Sequence, residues 1–337
     1  MERFACMIGG LLFMATMLSA AGEGPLVYEG KDGPGKGKHI VFLAGDEEYR
    51  SEEVMPMLAR ILAVRHGFRC TVLFTINPAD GTIDPMNPAN IPGLEALDNA
   101  DMMVLFLRWR DFGDKMKHVV DFVNSGKPIF GIRTSTHAFK IKDPKSPYAK
   151  YDSSSKDWPG GFGQQVLGET WVNHHGKHGT ESQRGAIAPG MKDHPILRGA
   201  EDIWGPTDVY TVTHLPADAK VLVQGQVLEG MKPTDKALDG PKNNPMMPII
   251  WLREYKGETG KTSQIICSTM GSAPDFQSEG LRRVVVNACY WALGLADKVP
   301  AKADVSYVGE YKPSWFGFGK FTKGIKPADL ALPPDAK

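Results

Sequence analysis

The sequence predicts an α/β fold in which a doubly wound, mostly parallel sheet carries helices on both faces. Three observations predict it. Uncharged apolar runs at 39–44, 102–107 and 128–131 suit strands buried on both faces of a sheet. Segments of helical apolar spacing lie between them, and strand alternating with helix argues for right-handed crossovers to parallel neighbours. A hydrophobic content of 42% is that of a folded globular chain.

The chain has 337 residues, with 39 Lys and Arg against 39 Asp and Glu. This zero net charge offers no field for nucleic acid or an anionic membrane surface. At the amino end, Arg3 precedes an apolar run from Phe4 to Leu18, and Ser19-Ala20-Ala21 supplies small residues. That layout reads as a signal peptide over residues 1–21, implying an exported protein, periplasmic or secreted, with no membrane span after cleavage. Residues 22–37, rich in Gly, Lys and Pro, read as a linker. Of the remaining cysteines, Cys70, Cys267 and Cys289 sit in apolar contexts without CxxC spacing. They read as small buried hydrophobes, and one disulfide of unspecified pairing stays open.

The first strand, 39–44, closes at Gly45-Asp46. Ser51, followed by Glu52 and Glu53, opens a helix with a capping residue and first-turn acids, and His66-Gly67 ends it. A strand at 70–76, a short helical piece at 94–97 and a strand at 102–107 follow. Met116, Val119, Val120 and Val123 then share one face of a helix over 112–124. The strand at 128–131 leads to a polar excursion at 141–160. Later strands are expected at 182–188, 219–226, 246–254 and 263–269, then a helix over 278–294. Residues 297–337 read as an extended arm on the body of one domain, 38–296.

Ligands of open α/β sheets bind beyond the carboxyl ends of strands. Four such ends carry polar groups: Asp46-Glu47-Glu48, Arg108-Trp109-Arg110-Asp111, Arg133 to His137, and Gly271-Ser272. Asp46 and Glu47 have the chemistry of a general acid/base, and His137 that of a proton carrier. An Arg133 guanidinium can hold a carboxylate or polarise a carbonyl. Arg108, Trp109, Trp171, Gly271 and Ser272 are candidate substrate contacts. His174, His175 and His178 fall within five positions and are candidate ligands of a divalent metal such as zinc. Surface imidazoles without a ligand are the commoner reading of such a cluster, direct sugar recognition and proton transfer stay open as well, and His137 or Glu181 would complete a metal set.

The segment Gly131-Ile132-Arg133-Thr134-Ser135 is a strand–turn–helix elbow. It resembles the class I glutamine amidotransferase-like superfamily, whose elbow reads Gly-x-Cys-x-Gly. Arginine stands in place of the thiol, and it has no lone pair to attack with, so amidotransferase chemistry is excluded there. More of the chain is similar to the ThuA-like (trehalose utilisation) branch. The resemblance is carried by 38–47, His194-Pro195-Ile196-Leu197-Arg198-Gly199, the hairpin from Pro248 to Gly271, and the helix ending Tyr290-Trp291-Ala292-Leu293-Gly294. It spans 38–296 and is greatest to the long exported members of planctomycete-type bacteria. The resemblance implies a flavodoxin-like architecture and a carbohydrate connection, without a catalytic set to carry over. Three functions follow as alternatives. One is processing of a sugar derivative at the carboxyl-end pocket. The second is non-catalytic carbohydrate or partner binding through Trp109, Trp158, Trp171, Trp204 and Trp315-Phe316. The third is metal-dependent hydrolysis at the histidine loop.

Overall fold

The structure, a computed structural model, describes residues 24–332. The expected signal peptide at 1–21 lies outside the described residues. One ten-stranded sheet runs through the molecule, in the order β1-β3-β2-β4-β5-β10-β9-β8-β6-β7.

The buried apolar runs become β2 (His39–Gly45), β3 (Arg69–Phe74), β4 (Met102–Leu107) and β5 (Ile129–Ile132), which pair in parallel, with β10 (Thr262–Ser268) parallel to β5. The rest of the sheet is different. β1 (Leu26–Tyr28) is antiparallel to β3, and β10, β9 (Met247–Lys256), β8 (Lys220–Val227), β6 (Gln183–Ile187) and β7 (Trp204–Gly205) are antiparallel in succession.

Five of nine strand pairings are therefore antiparallel. Only three α-helices occur among the described residues, at Ser51–His66 (α1), Met116–Val123 (α2) and Glu279–Ala292 (α3). This overturns the expected doubly wound, mostly parallel, flavodoxin-like sheet with helices on both faces. The physical reason is connection length. Residues 257–261 are all that join β9 to β10, and a parallel crossover needs a dozen residues or more. Between 183 and 268 the only helical segments are the single 3-10 turns Pro195–Leu197 and Pro241–Asn243, so no α-helix carries a crossover there.

Residues 24–37, expected as a linker, contain β1 at the sheet edge. Residues 297–332 run across the body with little regular structure. Arg282 donates to the Val305 carbonyl at 2.9 Å, Arg283 to Ala303 at 3.0 Å, and Arg60 to Leu330 at 2.6 Å. Arg282 and Arg283 at the start of α3, with Arg60 of α1, thus tie down the arm. Two helix signals also play out differently. The Ser51 hydroxyl does not cap α1; it accepts from the Asp46 amide at 2.9 Å, and Arg50 enters α1 with φ 67°. At the other end, Gly67 takes φ 79° and gives its amide to the Ala63 carbonyl, the left-handed stop that the His66-Gly67 pair predicts.

Apolar residues pack both sheet faces. α1 and α3 cover one, with Phe42, Val104 and Ile266 beneath; α2 lies on the other, with Leu105 and Ile129. The three described cysteines are free and buried. Burial pushes the Cys289 thiol up to about 12 and those of Cys70 and Cys267 well above the usual range.

Candidate active site

β2, β4, β5 and β10 end on the same side of the sheet, and the loops that leave them meet there. After β5 the chain turns sharply. Arg133 has φ 43°, a conformation that costs a non-glycine residue about 1–2 kcal/mol, and a single 3-10 turn carries Arg133–His137. Gly163 packs directly on this turn: a Cβ there would lie 1.8 Å from the Thr136 carbonyl oxygen.

Arg133 does not line the cavity. It is fully buried, with its guanidinium 4.1 Å from the Tyr49 ring centre and 4.2 Å from that of Tyr210. It donates to the Thr269 carbonyl at 2.8 Å and to Asp208 Oδ1 at 3.1 Å. Sandwiched between phenol rings, it is a buried cation whose partner is Asp208.

Asp208 is the organising acid of the site. The 173–176 loop lies antiparallel on 208–211: the His174 backbone bridges Tyr210, and the amides of His175 and Gly176 both donate to the Val209 carbonyl. This puts two imidazoles against one carboxylate. His174 Nδ1 is 2.6 Å from Oδ2, and His178 Nδ1 is 3.0 Å from Oδ1. Burial pushes the Asp208 carboxyl up, but the hydrogen bonds from His174 and His178 and the Arg133 charge outweigh it and hold it well below the usual carboxylate range. An ionised carboxylate only accepts, so both facing nitrogens are N–H groups; Nε2 is the ring nitrogen that does not face the carboxylate. His178 Nε2 stands 3.7 Å from Glu48 Oε1. Burial, then the neighbouring Asp46, raises the Glu48 carboxyl above its ordinary range.

A narrow cavity of about 30 Å³ opens beside this cluster, walled by Glu48, Arg108, Trp109, His137, Trp171 and His174. It shares Trp109, His137 and Trp171 with a hollow of about 370 Å³ that continues toward Lys140, Ser153 and Ser154. His137 sits between the two indoles, at 5.5 Å from Trp109 and 5.6 Å from Trp171. Burial, with the nearby Arg108, Arg133 and His174 charges, holds its pKa well below the ordinary value, so the ring is neutral. The Arg108 guanidinium lies 3.9 Å over the Trp109 ring, and Trp109 is 40% exposed. The arm closes one side, with Phe316 at 5.3 Å from His178 and Phe318 beneath Arg108.

The expected residues thus divide. Arg108, Trp109, His137, Trp171 and His174 share one cavity, with His178 beside it and Arg133 buried below. Asp46 is fully buried and serves its own loop, accepting from the Glu48 and Tyr49 amides and from Thr134 Oγ1 at 2.7 Å. Glu47 is engaged by Arg108 and Arg110. The acid at the cavity is Glu48. Gly271 and Ser272 are also away from it: both amides donate to Asp275 Oδ2 at 2.9 Å, and both residues are buried. His175 leaves its neighbours and meets the Lys242 carbonyl at 2.9 Å. Its place in the candidate metal trio is taken by Asp208, whose ligand atom and those of His174 and His178 all lie within 4.8 Å of one another. Asp208 and Tyr210 went unmarked in the sequence, since 206–212 carries no spacing that sets one acid apart.

No family model and no curated protein sequence matches the chain. Among solved structures, a ThuA-like protein from Parabacteroides merdae superposes with a TM-score of 0.50 at 12% identity, over 88% of this chain and all of that one. A ThuA-like protein from Bacteroides uniformis gives a TM-score of 0.45 at 14% identity, over 78% of this chain and 93% of that one. The first of these likenesses extends to the fold.

Proposed function

We propose that the chain is a ThuA-like protein that processes a sugar derivative by proton transfer at the His174–Asp208–His178 cluster, without glutamine amidotransferase activity. The observation that carries this reading is the Asp208 carboxylate, which holds both imidazoles by Nδ1 and leaves both Nε2 atoms turned away from it. The Glu48 carboxyl, raised by burial, is the matching proton donor 3.7 Å from His178 Nε2. One group accepts a proton from a sugar hydroxyl or activated C–H while the other returns one, the division of labour of a general base and a general acid. Trp109 and Trp171 supply flat apolar faces of the kind that sugar rings stack on. The arginine at the elbow and three buried, high-pKa thiols leave no cysteine nucleophile for amidotransfer among the described residues. The leader-like residues 1–21 support export to the periplasm or beyond.

The test separates the free nitrogen from the anchored one. Asparagine reproduces an Nδ1–H donor but has nothing at Nε2. His174→Asn and His178→Asn are therefore expected to fold like the wild type and to lose at least about 10²-fold in turnover. The readout is product release from a panel of glycosides, oxidised sugars and sugar acids. Unchanged turnover in both variants contradicts the proposal. Saturable binding of a sugar by the wild type without any product replaces it with a carbohydrate-binding role.

A second reading has its own observation, the three ligand atoms within 4.8 Å, which suit a divalent ion such as zinc. It fits less well. Two ligands of one tetrahedral zinc at about 2.1 Å stand about 3.4 Å apart, whereas the nitrogens meet Asp208 at 2.6 and 3.0 Å. Arg133 also already neutralises this carboxylate. Stoichiometric metal in the purified protein, with activity lost to a chelator, would favour the ion.

A further inference from the structure

The two hollows at the imidazole cluster differ in size and in lining. The narrow cavity, about 30 Å³, has room for a water or two and not for a sugar ring. The hollow that opens from it, about 370 Å³, is the size of a small-molecule site. The body of any sugar must therefore lie in the larger one, against Trp109 and Trp171, with a single substituent reaching the imidazoles. The remaining lining groups are Lys140 and the hydroxyl residues Ser153, Ser154 and Thr170. Among these lining residues Lys140 is the one charged side chain, since burial keeps the His137 ring neutral.

The Lys140 ammonium donates to the Ser154 hydroxyl at 2.8 Å. Asp152 stands 3.7 Å away, with a side chain 10% exposed against 52% for Lys140. Its carboxylate is taken up by the backbone, accepting from the Ile141 amide at 2.8 Å and the Ser154 amide at 2.6 Å. It therefore steadies the lysine without lining the hollow. An ammonium has three N–H groups, so donors remain after Ser154 has taken one.

We propose that the ligand of this hollow is an acidic sugar, a ring that carries a carboxylate or phosphate, with Lys140 as the residue that selects it. An anion meets the remaining N–H groups with charge-assisted hydrogen bonds, which are stronger than those to a neutral hydroxyl. The indole faces take the apolar side of the ring. The inference rests on the proton-transfer reading only for which end of the sugar reacts; recognition of the anion is measured without turnover.

The test is calorimetry of the purified protein at neutral pH with D-glucuronate, D-glucose 6-phosphate, D-glucose and D-glucuronamide, the last a neutral match in shape to the first. The expected result is saturable binding of at least one anion, at least about ten-fold tighter than of either neutral sugar. The tighter anion tells a carboxylate from a phosphate. Lys140→Met keeps the length of the side chain, and is expected to bring that anion down to the affinity of the neutral sugars and leave theirs unchanged. No preference for either anion, no saturable binding of any of the four, or unchanged anion binding in Lys140→Met overturns the proposal. Turnover of sugars without an anion preference sinks this inference and leaves the proton-transfer reading standing; an anion preference without turnover does the reverse.

Discussion

Asp208→Ala is expected to lower stability by about 3–5 kcal/mol in urea unfolding, because it leaves the Arg133 guanidinium fully buried without its carboxylate. The tyrosine rings above and below Arg133 cannot replace that charge, and the Thr269 carbonyl satisfies one N–H only. Adding Arg133→Met removes the stranded cation and is expected to recover much of the loss; strictly additive losses would mean that no pair had been broken. The same carboxylate sets an acid limit. Its folded pKa lies well below that of an unfolded aspartate. Its contribution is therefore complete above about pH 4 and lost as pH falls toward the native value.

Glu52→Gln is expected to act in the opposite direction, stabilising the protein by on the order of 3–5 kcal/mol at pH 9 and by almost nothing at pH 4. The folded carboxyl is raised to about 8 from an ordinary 4.5. Below the unfolded value both states hold the proton and no penalty exists. As pH rises the unfolded chain ionises first, and native stability falls until the folded group also ionises. Glutamine does not ionise, so the gap between the two unfolding curves should open between pH 4.5 and 8 and then stay constant. Parallel stability profiles for the two proteins would show that this carboxyl is solvated or paired.

The strands were legible because six or seven uncharged residues between polar turns leave little else for the chain to do. Those at 39–45 and 102–107 are nearly wholly buried. Pairing direction was not legible from the strands themselves. It lay in the connections, and the five residues between β9 and β10 were enough to rule out a crossover there. β1 and β7, of three and two residues, are too short to carry a pattern.

At the cavity, the placing of His137, Trp109 and Trp171 was legible because strand ends and their loops could be placed. Which acid meets the cavity was not, because Asp46, Glu47 and Glu48 are chemically alike and adjacent, and only the backbone decides which one turns inward. Asp275, three residues past Ser272, was a readable sign that those amides already had an acceptor. Asp208 could not be singled out, since what marks it is the approach of a loop some thirty residues away.

The most direct test of the account is a long-range ¹⁵N–¹H correlation spectrum of the imidazoles at neutral pH. If Asp208 anchors both rings, His174 and His178 carry their proton on Nδ1, with Nε2 unprotonated. A proton on Nε2 of either neutral ring would contradict the account, because that nitrogen could then accept nothing from a substrate.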